Sequence, residues 1–170
     1  PGTQTRELML TAAIAADPSQ VKFRFKHNPT ASHYHWQVDD VRIVELFADD
    51  NKLEYAFLSH TGLGEEYGRI PSAQLYPTML IGGDVTNNGA MAQNNVTVTM
   101  DVLGPVPFNT AINGGTIDPG VTATVQEAYT LPTLTPGLYE GTATVTADNP
   151  DEVPENNTYL RNFEVNEFVY

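Results

Sequence analysis

The second half of the chain is a series of short Val-, Thr-, Tyr- and Phe-rich segments, each cut off by a turn dipeptide, and this punctuation limits the fold more than any other feature. The segments are "TMLIGGDVTNNG", "NNVTVTMDVLG", "VTATVQEAYTL", "GLYEGTATVTADN" and "TYLRNFEVNEFVY", with Asn-Gly, Gly-Pro, Pro-Gly and Asn-Pro between them. Gly and Asn tolerate positive φ, and Pro fixes φ and lacks a donor, so the chain turns at these points. Within a segment the side chains alternate, and Tyr139, Gly141, Ala143 and Val145 fall on one face. Short strands at this spacing predict an Ig-like antiparallel β-sandwich over residues 76–170. Helical spacing is scarce: only Glu7 to Ala16 has it, and that Ala-rich run ends at "DPS". The fold class expected is all-β.

Upstream, "VKFRFKH" places Val21, Phe23 and Phe25 on one face and Lys22, Arg24 and Lys26 on the other. After the "NPTAS" turn, "HYHWQVDDVRIVE" begins with Tyr34, Trp36 and Val38 on one parity and continues with Val41 and Ile43 on the other. A switch at Asp39-Asp40 predicts a β-bulge. Trp36 and Phe23 are expected to share one buried cluster. Residues 46–75 are expected as a connecting segment with one strand at Leu53 to Leu58.

Two resemblances rest on these residues. "VKFRFKH", "NPTAS" and "HYHWQVDDVRI" resemble the closing strands of a jelly-roll module of the cleaved-adhesin type (choice-of-anchor J, gingipain haemagglutinin-like). From about Asp49 onward, "EYGRIPSAQ", "DVTNNG", "NNVTVTMDV", "PGLYEGTATVTADNPDEVPENNT" and "FEVNEFVY" resemble CARDB-like Ig-type domains. Both resemblances imply a large secreted bacterial surface protein, with residues 1–45 as an incomplete jelly roll before the sandwich. So short a remnant cannot close a core. Either it packs on the sandwich or another chain completes it by strand addition.

Charge narrows the partners. With 21 acidic side chains against 8 Lys plus Arg, the formal net charge is -13. Such a surface repels phosphate backbones and anionic lipid, so nucleic acid and membrane surfaces are poor partners, and cations are natural ones. Cysteine is absent, which removes disulfides and thiolate metal sites. No apolar run approaches the roughly 20 residues of a membrane span. Pro1 is no initiator, and the chain is expected to be a piece of a longer protein.

Several residues could carry chemistry. Asp39 and Asp40 pair carboxylates at the expected bulge and are the candidate metal ligands, Ca2+ being the cation that the jelly-roll resemblance implies. The plainer account is that one of them accepts backbone N–H bonds there. His33 and His35 share a strand face but lack a third ligand. The loop "DNPDEVPENNT" gathers Asp148, Asp151, Glu152 and Glu155 with Asn149, Asn156 and Asn157 and is a second place where calcium could bind, but it lacks EF-hand spacing, and the plainer account is a turn with Asn side chains bonded to backbone and its charges solvated. Ser59-His60 would point to opposite faces of a strand, Glu65-Glu66 is an ordinary acidic loop, and Asn95 and Asn156 begin sequons. No hydrolase or phosphate-loop motif is present.

The reading is a non-catalytic structural or adhesive segment of a secreted or cell-surface bacterial protein. Its partners would be other copies, in a filament built by strand complementation, or adjacent domains of the parent. The alternatives are an accessory module of a large secreted hydrolase, or a carbohydrate-binding module using Tyr34, Trp36 or Tyr67.

Overall fold

A computed structural model describes residues 18–26, 38–59 and 68–168. The chain divides into two compact units, Pro1–Glu45 and Leu46–Tyr170. In the first, a 3-10 turn covers Pro18–Gln20, and no residue of 21–26 or 38–45 pairs in a ladder with another described residue. Tyr34 and Trp36 lie outside the described residues. Phe23 is 51% exposed, against the expectation of burial, and residues 21–26, expected as a strand, have no strand pairing with another described residue.

The second unit is an all-β sandwich. Its strands are β1 (Asn51–Ser59), β2 (Arg69–Pro71), β3 (Thr78–Asn87), β4 (Gln93–Leu103), β5 (Phe108–Ile117), β6 (Thr122–Thr130), β7 (Gly137–Thr146) and β8 (Thr158–Asn166). One sheet has the order β1-β3-β6 and the other β2-β8-β7-β4-β5. Every pairing is antiparallel except β2 with β8, which is parallel.

The core follows from the alternation. Met79, Ile81 and Val85 of β3 are fully buried, as are Val96, Val98 and Met100 of β4. Tyr139 and Phe163 stack at 4.9 Å between ring centroids. The Tyr139 hydroxyl reaches back to the backbone of Thr135 in the β6–β7 connection, which is the tyrosine corner of Ig-like sandwiches. Polar bonds cross both open seams: Thr110 of β5 donates to Glu127 of β6, and Arg161 of β8 donates to the Ala56 carbonyl of β1.

Two parts of the sequence reading differ from the structure. Residues 46–75, expected as a connection with one strand at Leu53 to Leu58, supply that strand as β1 and also β2, and they belong to the same compact unit as 76–170. The inward parity of β1 changes from Leu53 to Ala56 and Leu58, because a register shift between Leu53 and Tyr55 leaves Glu54 extra. The bulge lies against Gly83, where a Cβ would stand 2.7 Å from the Tyr55 carbonyl oxygen. Strand β5 was not among the expected strands, since Asn109, Asn113, Gly114 and Gly115 read as turn residues.

Following the strands, the chain enters the sandwich at one pole and leaves at the other. The start of β1, the connections 88–92 and 118–121 and the loop 147–157 share the entry pole. The end of β8 lies at the opposite pole with connections 104–107 and 131–136.

Candidate functional site

The densest polar cluster among the described residues is at the entry pole, where the segment leading into β1 meets the β7–β8 loop. Glu152 Oε2 accepts the backbone N–H groups of Ala48 at 2.7 Å and Asp49 at 3.1 Å. The Glu152 amide in return donates to the Asp49 carbonyl at 2.9 Å. Asp151 uses one carboxylate oxygen for the Asn51 amide and the other for the Val153 amide, each at 2.7 Å. Carboxylate-to-amide bonds of this kind tie together segments about 100 residues apart in sequence.

Amide side chains fill the space between. Gln93, 1% exposed, donates from Nε2 to Asp49 Oδ1 at 2.9 Å and accepts from Asn51 Nδ2 at 3.3 Å. Asn149 also donates to Asp49 Oδ1, and Asn156 donates to Asp50 Oδ1, both at 2.9 Å. The Asn149 bond, then that of Gln93, holds the Asp49 carboxyl below its ordinary range, since both stabilise the charged form. Nearby, Asn95 sits at φ 51° in a β4 bulge and donates to both oxygens of Asp148. The sequon asparagines Asn95 and Asn156 therefore both have their amide nitrogens bonded within the protein.

This overturns one part of the sequence reading. The carboxylates of "DNPDEVPENNT" are not merely solvated charges, and its Asn side chains bond acids rather than backbone. The signal was hidden because the partners at 48–51 are remote in sequence. At Asp39-Asp40, the candidate metal ligands, both side chains are exposed, Asp40 has φ 50°, and Asp39 Oδ1 accepts the Asp40 amide at 2.8 Å. The bond is local to the pair, and no ladder, hence no bulge, is described at 38–45. Among the described residues, no three of His, Cys, Asp or Glu gather closely enough to hold a metal ion. Ser59 is buried at the end of β1. His33, His35, His60, Glu65, Glu66 and Tyr67 lie outside the described residues.

Among the described residues, three buried amide oxygens at the entry pole meet no donor: those of Asn51, Asn156 and Asn157. Asn51 is 1% exposed and Asn157 7%.

The solved structures similar to this chain include CARDB domains, at low identity. One is the CARDB domain of a Pyrococcus furiosus protein in complex with di-metal ions, at 14% identity and TM-score 0.49, covering 76% of this chain and 99% of that one. A solution structure of the same CARDB domain gives 15% identity and TM-score 0.48, over 74% of this chain and 100% of that one. A β-glucuronidase of Parabacteroides merdae gives 17% identity and TM-score 0.35, over 68% of this chain but 13% of that one. No family model and no curated protein matches the chain.

Proposed function

We propose that this chain is a non-catalytic structural or adhesive segment of a secreted bacterial surface protein, whose CARDB-like sandwich acts as an in-line spacer. The observation that carries the reading is the threading of the sandwich. The chain enters at one pole, where Glu152 and Asp151 fasten its backbone, and leaves at the other. Modules threaded this way join end to end with neighbours of the parent or with other copies. The polar residues at the entry pole serve this role by bonding the chain to itself, and the charge of -13 suits an exposed surface with no nucleic-acid or lipid partner. Strand complementation at residues 1–45 would link copies into a filament.

The test is the state of the native particle. Intact mass, light scattering and electron microscopy of the protein as secreted are expected to show elongated assemblies or a multi-domain surface protein. Recovery of the chain solely as a monomeric proteolytic product of an active hydrolase would overturn the reading.

A further inference from the structure

The buried side-chain polar atoms without a partner among the described residues are all oxygens, and all lie at the entry pole. Asn51 has its backbone N–H on Asp151 and its Nδ2 on Gln93, and its Oδ1 is left without a partner. Asn156 has its backbone N–H on the Val153 carbonyl and its Nδ2 on Asp50, and its Oδ1 is likewise left. Asn157 donates its backbone N–H to Pro154 and accepts from Val145, and again Oδ1 has no donor. These are not scattered atoms. Asp50 is bonded to the Asn156 amide and precedes Asn51, and Asn157 follows Asn156, so one carboxylate and three orphan oxygens belong to the same junction of β1 with the β7–β8 loop. Among the described residues, no Lys or Arg forms an ion pair with Asp49, Asp50, Asp151 or Glu152.

A buried oxygen without a donor is costly, and Asn51 and Asn157 are both more than nine-tenths buried. What complements several such oxygens beside a carboxylate is an electropositive species that takes oxygen ligands alone. We propose that Asp50, Asn51, Asn156 and Asn157 form a Ca2+ site that locks the entry segment to the β7–β8 loop. The ligand set selects among cations. Thiolate and imidazole are absent from it, which disfavours zinc and copper. Amide and carboxylate oxygens from an irregular loop suit Ca2+, whose shell is large and flexible, better than Mg2+, which demands an octahedron. One carboxylate among neutral amides gives low ligand charge, so affinity falls in the weak range of extracellular modules, about 0.1–1 mM. The site is distinct from Asp39-Asp40, and it stands whether or not the spacer reading does.

Thermal melts and calorimetric titrations of the full chain, stripped with chelator, test it with CaCl2, with MgCl2 and with NaCl at matched ionic strength. Any cation relieves repulsion in so acidic a protein, so the expected result is a rise in Tm with CaCl2 beyond both controls, saturating near the titrated Kd. Asp50→Asn is expected to weaken Ca2+ binding at least tenfold, and Asn157→Asp, which adds a ligand charge, to strengthen it several-fold. The double variant Asp39→Asn, Asp40→Asn is expected to keep the response. Equal effects of the three salts would overturn the proposal and leave water as the partner of the orphan oxygens. Loss of the Ca2+ response in the Asp39, Asp40 variant, or its survival in Asp50→Asn, would overturn it by placing the ion elsewhere.

Discussion

The Tyr139 hydroxyl donates to the Thr135 carbonyl at 2.8 Å and accepts the Thr135 amide at 3.2 Å. One side chain thus satisfies both polar groups of a residue in the β6–β7 connection. Tyr139→Phe keeps the stack on Phe163 but strands both partners, and is expected to lower unfolding free energy by about 1–3 kcal/mol in urea titration. An unchanged midpoint would mean that water replaces the hydroxyl.

Gly83 is tested by adding one methyl. In Gly83→Ala the new Cβ meets backbone, the Tyr55 carbonyl, and the Leu53 Cδ1 as well. Since β1 must yield, a loss of about 1–3 kcal/mol is expected, together with faster amide exchange in Asn51–Ser59 than elsewhere in the sandwich.

Arg161 closes the β1–β8 seam in two ways, donating to the Ala56 carbonyl and lying 4.3 Å from the Tyr55 ring centroid. Lysine retains the charge but not the planar donor. Arg161→Lys is therefore expected to cost about 1–2 kcal/mol, measured by chemical denaturation.

The bonds to Asp49 predict a pH dependence. Its carboxyl titrates below its ordinary value of 3.8 in the folded protein. A lowered folded pKa means that the contribution is fully present above the unfolded value and is lost as pH falls through the folded one. The stability difference between the wild type and Asp49→Asn is expected to be constant from neutral pH down to about 5 and to shrink below about 4. A difference that persists unchanged at pH 2 would show that these bonds do not depend on the charge.

What the sequence disclosed depended on how local the signal was. Strands β3, β4, β6, β7 and β8 were legible because each joins period-two alternation to a turn dipeptide. Strand β1 was half visible, since the bulge at Glu54 breaks its alternation. Strand β5 was hidden: its buried residues Phe108 and Ile112 share one parity but have the polar Thr110 between them, and Ile117 falls on the other parity because a register shift opposite Val96 and Thr97 of β4 leaves Gly114 extra. The entry-pole cluster was legible as an acidic, Asn-rich loop with calcium as one of its two readings, but its partners at 48–51 were not. That Asp151 and Glu152 bind the backbone of 48–51 is a product of topology, which brings β1 beside the β7–β8 loop.

The opposed poles of the sandwich have a mechanical consequence. Tension between the start of β1 and the end of β8 acts along the strands, while ladder hydrogen bonds lie across them. The load is shear, shared along the whole β1–β3 and β7–β8 ladders, and at its entry it falls first on the bonds from Ala48, Asp49 and Asn51 to Glu152 and Asp151. A hairpin pulled open from its ends yields one bond after another. Here many bonds must fail together, so the rate of forced unfolding is set by a single large barrier.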